Sequence, residues 1–321
     1  METLVRSHAA THQRRGFVSG DVVFKGATML FALSVLGAAV LMVGALLQNS
    51  WSTLTKYGFS FFTGTVWDPN RLIFGAQAYI FGTLCSSVLA LLMASVVGIG
   101  VAVLLVELHL PHWISTPVAF LVELLAAIPS VVYGVWGIFV LIPMMQNYVD
   151  PFLSRFFFWL PFFGTDSGGG RSMLTAALVL SVMIIPTVAA ISREVIRVVP
   201  DSLREAMLAL GATRAEMIWK AVLPYARPGI IGALILALGR AVGETMAATM
   251  VIGNFGYVGP NLFHSADTLA SKIANNLGEA SDLELGALFE LGLILLLVSV
   301  LLNVLARLLV WSVSRGSAEV A

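Results

Sequence analysis

Six stretches of this chain run for about 20 residues or more with few or no charged side chains, and nothing else in the sequence limits its fold as much. Water is absent from a bilayer core, so each backbone N–H and C=O there must find a partner within the chain. A long apolar run satisfies that condition as a helix. The runs lie at about 27–47, within 78–106, within 117–145, at about 173–192, at about 229–252 and within 283–312. Hydrophobic residues make up 58% and charged residues 11% of the 321 positions, far from the composition of a soluble domain. The expected fold class is an all-α membrane protein with six transmembrane helices. The first run follows Arg14, Arg15 and Lys25, exceeds the apolar core of a signal peptide and lacks a clear A-x-A exit, so it reads as a retained anchor.

Eighteen basic residues balance 18 acidic ones, so net charge names no partner and nucleic acid is not expected. The placement of the charges is informative, because loops rich in Lys and Arg stay in the cytoplasm. With the N-terminus inside, that side collects Arg6, Arg14, Arg15, Lys25, Arg193, Arg197, Arg204, Arg214, Lys220, Arg227, Arg307 and Arg315. The other side holds Lys56, Arg71, Arg155, Arg171 and Lys272. Both termini are therefore expected in the cytoplasm: residues 1–26 as an N-terminal segment, 27–312 as the six-helix domain with a cytoplasmic loop at 193–228, and 313–321 as a tail. The outer segments 48–77, 146–172 and 253–282 are rich in Gly, Pro, Asn, Phe and Trp and read as loops and interfacial anchors.

Several chemistries find no support. Cys85 is the sole cysteine and reads as a packing residue, which excludes an internal disulfide. His109 and His112 have helical spacing beside Pro111, but no third ligand stands near, so they read as solvated side chains and no metal or cofactor is expected. No G-x-x-x-x-G-K-[ST] loop occurs, and Gly168 to Gly170 reads as a flexible turn, so the chain does not bind ATP in the P-loop manner. No nucleophile and base stand in a catalytic arrangement, so an enzyme is not expected.

The loop Pro200 to Gly229, "PDSLREAMLALGATRAEMIWKAVLPYARPG", carries more structure. Ser202 with Glu205, and Thr213 with Glu216, have capping-box spacing, so two short helices should begin near Leu203 and Arg214, with Gly211 between them and Pro224 ending the second. Leu203, Ala206, Met207 and Leu210 would form one stripe, with Arg204 off it. Glu205-Ala206, then Gly211, then Leu223-Pro224 resembles the EAA loop of the membrane subunits of ABC importers, with Met207 in place of the usual second alanine. In that family the loop docks into a cleft on a cytoplasmic ATPase.

Three further segments, "FFTGTVWDP" (Phe61 to Pro69), "ELLAAIPSVVYGVWG" (Glu123 to Gly137) and "GRAVGETMA" (Gly239 to Ala247), are similar to the PstC type of phosphate-importer permease. The resemblance covers nearly the whole chain. It implies the type I ABC importer permease fold (MetI-like) in a cell inner membrane, with Glu205, Ala206, Met207, Gly211, Leu223 and Pro224 coupling to a PstB-like ATPase dimer. It also implies a heterodimer with a PstA-like permease, a PstS-like phosphate-binding protein above it, and inorganic phosphate as cargo.

Arg240 and Glu244 stand inside the fifth apolar run, about eleven residues in, where an arginine costs roughly 2.5–3.5 kcal/mol and should face the bundle interior or a wet cavity. One turn apart, the two could pair. A guanidinium offers a planar fork to phosphate oxygens, and Glu244 could orient it and speed release. The alternative is that the pair only joins helices. Ser130, beside the helix-breaking Pro129 and Gly134, and Thr245 are further candidates for the path, although threonines such as Thr245 and Thr249 often bond back to their own helix. The same residues would suit another oxyanion such as molybdate or sulfate. A secondary transporter, the other class considered, would need no docking loop.

Overall fold

The computed structural model describes residues 18–108, 110–164 and 169–318, with side chains from residue 20 to 311 apart from residue 309. The N-terminal basic residues up to Arg15, His109, Gly168 and the side chain of Arg315 lie outside that set. Eleven helices make up the described fold: α1 (Val18–Tyr57), α2 (Ser60–Thr63), α3 (Gln77–Glu107), α4 (His112–Ala127), α5 (Ser130–Phe156), α6 (Met173–Arg197), α7 (Asp201–Ala209), α8 (Arg214–Val242), α9 (Met246–Val251), α10 (Leu269–Asn276) and α11 (Asp282–Ala318). Helices α1, α3, α5, α6, α8 and α11 are long and apolar enough to cross a membrane, six in number as the sequence requires. Residues 18–48 belong to a first unit and form one apolar helix; residues from Asn49 onward form a second unit, which holds every site described below.

Within the second unit, α6 is the most buried of the long helices and α3 packs along it. Ala90, Ala94, Gly98 and Ala102 recur every four residues on α3, and all are buried. Small side chains on that ridge let the two backbones approach, which is how helices associate where lipid supplies no hydrophobic drive. A Cβ on Gly98 would stand 2.8 Å from Val188 of α6, and one on Gly229 of α8 would stand 2.4 Å from Val195. Leu92 and Val96, on the opposite side of α3, are exposed as lipid-facing residues should be.

Two of the six spans depart from the expected positions. The run within 117–145 is not one helix: α4 stops, Ile128 and Pro129 are extended, and α5 begins at Ser130. Proline lacks the N–H that would continue α4 and pushes the residue before it out of the helical region. Gly134, expected to interrupt as well, lies inside α5, where a Cβ would meet Met250 Sδ at 2.5 Å. Tyr133 donates from Oη to the Leu125 carbonyl at 2.7 Å and so ties the two sides of the break together. The run at 229–252 is also divided: α8 ends at Val242, and α9 starts only after Gly243 to Thr245.

The outer segment 48–77 is packed rather than loose. Phe61 is fully buried, and the Trp67 ring lies edge-on to Phe74 at 4.9 Å and to Tyr79 at 5.7 Å. Trp67 Nε1 donates to Glu284 Oε1 at 3.2 Å, and Lys272 Nζ sits 5.1 Å from the Trp67 ring. Asp68 accepts from the N–H groups of Asn70 and Arg71 and closes the turn after Trp67. Phe61, Trp67 and Phe74 thus fill a small core against α3, α10 and α11, whereas Trp51, Phe59, Tyr148, Phe158 and Trp159 of the outer segments are exposed, as interfacial anchors are.

Candidate functional site

Two loci hold the residues singled out from the sequence. The first is the loop between α6 and α8. Helix α7 begins at Asp201 with Pro200 as its cap, so Ser202 lies inside the helix and makes no cap; proline fits the position because the first N–H groups of a helix need no intrahelical acceptor. The second expected cap is present in full: Thr213 accepts from Glu216 N at 3.3 Å, and Glu216 accepts from Thr213 N at 3.0 Å. Gly211, at φ +83°, turns the chain between the two helices, a conformation glycine adopts without a Cβ penalty. Pro224 does not end the second helix. The chain passes through a π-helical turn at Ile218–Val222 and continues into the apolar part of α8, with Leu223 and Pro224 inside it. The wider turn accommodates the missing proline N–H.

The stripe read from the sequence splits into two roles. Leu203 and Met207 pack into a core with Ala102, Ile196 and Val222, whereas Ala206 is exposed and Leu210 is 85% exposed. Glu205 and Gly211 are exposed as well. The side of α7 that carries Glu205, Ala206 and Leu210 is therefore free to meet another surface.

Arg204, left off the stripe, is the residue that fixes this loop. Its Nη2 donates to Glu107 Oε1 at 2.8 Å, its Nε lies 3.2 Å from the same oxygen, and Nη1 bonds Asp201 at 3.0 Å. It also donates to the carbonyls of Ile196, at 3.1 Å, and Val199. Glu107 is only 3% exposed at the end of α3. One guanidinium thus joins the ends of α3 and α6 to the start of α7. The pair borders a cavity of about 790 Å³ that Arg193, Arg197, His112 and Glu123 also line. The signal for it in the sequence was a lone carboxylate at the end of an otherwise uncharged run.

The second locus is the break after α8. Arg240 and Glu244 do not form an ion pair. Arg240 is exposed in the last turn of α8, where a cation complements the unsatisfied carbonyls of the helix end, and its Nη1 lies 3.3 Å from Thr187 Oγ1 on α6. Glu244 Oε1 accepts from Ala247 N at 3.1 Å and so caps the start of α9. Because α8 ends at Val242, the two residues are not on successive turns of one helix, which is why the expected pairing fails. Arg240 lies about 26 Å along the axis from Leu223, at 1.5 Å per residue.

Ser130 and Thr245 come to the same locality. Gly134 of α5 faces Ala247 and Met250 of α9, and Gly137 faces Val251, so the two segments run parallel with their starts, Ser130 and Met246, at the same end. Thr245 precedes α9 and its carbonyl accepts from Thr249 Oγ1 at 2.6 Å; Thr249 therefore back-bonds within its own turn. The structure brings two helix restarts, an arginine, a carboxylate and two hydroxyl side chains to one region. Arg240, exposed within an apolar part of the chain, needs a polar surrounding that lipid does not provide.

Comparison with known proteins agrees with this architecture. The model of the family described as "Binding-protein-dependent transport system inner membrane component" matches residues 94–315. A protein of Pasteurella multocida named phosphate transport system permease protein PstC is 41% identical over 298 residues, 92% of this chain and 93% of the relative. One of the same name from Mesorhizobium japonicum is 42% identical over 94% of this chain and 93% of the relative, and a probable PstC of Methanocaldococcus jannaschii is 34% identical over 83% and 86%. Among solved structures, a bacterial ABC transporter involved in alginate import superposes with a TM-score of 0.58 at 18% identity, covering 92% of this chain and 98% of that one. The MetNI methionine ABC transporter in an inward-facing conformation superposes with a TM-score of 0.53 at 22% identity, covering 77% and 99%. These likenesses show the fold of an ABC importer permease.

Proposed function

The chain belongs to the family of binding-protein-dependent transport system inner membrane components, and from that membership we propose that it is the permease of an ATP-driven importer of inorganic phosphate. The observation that carries the reading is Arg240: a guanidinium exposed at a helix break in an apolar span, its side chain turned to a threonine rather than to a carboxylate. Phosphate oxygens take up such a fork through charge-assisted hydrogen bonds. Glu244, occupied as the cap of α9, holds the backbone beside Arg240 and sets a negative charge near the anion, which favours release. Ser130 and Thr245 offer hydroxyls to the passing ion.

Hydrolysis of ATP is assigned to a separate subunit, since the chain has no phosphate-binding loop. The exposed side of α7 with Glu205, Ala206 and Leu210 is the contact to a PstB-like ATPase, and Arg204 transmits its movement to α3 through Glu107 and to α6 through the Ile196 carbonyl. Met207 braces α7 from the inner side, and Gly211, Leu223 and Pro224 set the turn and the entry into α8. A PstA-like permease completes the path, a PstS-like protein delivers phosphate, and both termini lie in the cytoplasm.

Uptake of radiolabelled phosphate by cells lacking their own high-affinity system, given the complete transporter with wild type or Arg240→Gln at equal membrane levels, tests the reading. Uptake should fall by tenfold or more, about the value of one charge-assisted hydrogen bond, while ATP hydrolysis persists. Unchanged uptake would remove Arg240 from the path. Competition by molybdate or sulfate with no phosphate carried would overturn the cargo.

A further inference from the structure

A second opening of about 750 Å³ lies between α3 and α8, away from Arg240. Its walls are Ile99, Gly100 and Val103 on one side and Ile230 and Ile231 on the other, all apolar. Its lining residues on α3 run from Ser95 to Val103, a rise of about 12 Å toward the end of the helix that holds Glu107. The groove therefore begins at the level of the 193–228 loop and extends into the span. Gly100 opens it: a Cβ there would meet nothing within 4 Å, in contrast to Gly98, two residues earlier, which is pressed against Val188.

The α8 wall also carries two groups of a different character. Arg227, exposed in the first turns of the apolar part of α8, lines the groove, and no carboxylate among the described residues forms an ion pair with it. Trp219, 73% exposed, lines the same wall about 12 Å nearer the start of α8. An aliphatic slot within a spanning helix pair, with a cation and an indole in its α8 wall, matches one occupant in both parts: an acyl chain against the aliphatic residues and a phosphodiester at Arg227. We propose that this groove is a binding site for an anionic phospholipid of the leaflet on the side of the 193–228 loop. Ala215, Ile218, Leu223 and Pro224, from the second part of that loop, form its remaining wall, so a bound lipid braces the loop against α3.

The site rests on the membrane fold and on the placement of the loop, not on phosphate as cargo. The full chain, purified with the subunits that accompany it into nanodiscs of equal parts phosphatidylglycerol and phosphatidylcholine, is released into native mass spectrometry, and the lipid retained is counted. Wild type should hold phosphatidylglycerol in preference to phosphatidylcholine. Arg227→Gln should reduce that preference about tenfold, the scale of one lost charge-assisted contact. Gly100→Leu, which fills open space, should lose both lipids. Equal retention in all three proteins would overturn the site, and equal retention of the two lipids by wild type would overturn the role of Arg227. Cross-linking from Gly100→Cys to a neighbouring subunit in place of lipid would show the groove to be a protein interface, which also overturns the proposal. Because the count does not depend on uptake, a failure of phosphate transport leaves it standing, and its failure leaves phosphate transport standing.

Discussion

Arg204 and Arg240 are the same residue type placed at helix ends in one unit, and they are held in opposite ways. Arg204 meets Glu107, Asp201 and two backbone carbonyls, and its main partner is buried. Arg240 has one neighbour at 3.3 Å and is exposed. A guanidinium with its donors satisfied by fixed acceptors can transmit force but has little left for a ligand. One that is barely engaged can exchange partners at small cost. The difference separates a joint from a candidate binding group more clearly than the presence of charge in an apolar chain does.

The sharpest way to break the comparison is to cut the joint. Arg204→Ala takes the guanidinium away from the buried Glu107 carboxylate, and removing one partner of such a pair costs about 3–5 kcal/mol. The expected result is a marked fall in the melting temperature of the purified protein. Replacing both, Glu107→Leu with Arg204→Met, should restore part of the loss, because the buried carboxylate is removed together with its guanidinium. A single variant as stable as wild type would show that the joint carries nothing.

A buried charge with intermediate support sharpens the scale. Asp267 is 2% exposed and accepts from Thr268 N at 2.9 Å. Burial pushes its carboxyl up to about 6, with hydrogen bonds from Ser271 and Thr268 and the charge of Lys272 holding it back. Its folded pKa therefore exceeds the unfolded value of about 3.9, so the fold favours the protonated form. The penalty is present above pH 6 and is relieved as pH falls through 6 toward 3.9. Asp267→Asn, which keeps an oxygen for Thr268, should be more stable than wild type at pH 7.5, by up to about 2–3 kcal/mol, with the gap about halved at pH 5 and closed near pH 3.9. A gap independent of pH would place the cause elsewhere.

How much of this was legible in the sequence depends on the range of the interaction. The six spans follow from apolar length, and the capping box at Thr213 and the turn at Gly211 follow from three or four adjacent residues. The break at Pro129 was also visible, since proline acts on its own neighbours. The Arg204–Glu107 joint was not, because its partners are 97 residues apart and only the packing of α3 on α6 brings them together. Arg240 and Glu244 were read as a pair because four residues on a continuous helix share a face; the helix ends between them, and local spacing lost its meaning. Phe61, Trp67 and Phe74 misled in a related way, since aromatic residues near span ends suit both a membrane interface and a small core.

Smaller effects are expected at the α8–α9 break. Glu244→Ala removes the acceptor for Ala247 N and should cost about 1 kcal/mol, as loss of a helix cap does, with Glu244→Gln recovering a good part of it. If alanine and glutamine behaved alike, the cap would not be what Glu244 contributes.

The smallest change is expected for Arg240→Gln, and it is the one on which the comparison turns. With a single 3.3 Å contact to Thr187 and no ion pair, its loss should alter stability by no more than about 0.5 kcal/mol. A double-mutant cycle between positions 240 and 244 should then be additive within about 0.5 kcal/mol, whereas the cycle between 107 and 204 should show coupling of several times that value. The direction of the reasoning matters, because a residue that contributes so little to the fold yet stands at a helix break in an apolar span has a cost without a structural return. Strong coupling at 240 and 244 would mean that the pair closes in some other state of the protein, and Arg240 would join Arg204 as a joint. Additivity, together with the loss of uptake, would leave binding as the reason for the charge.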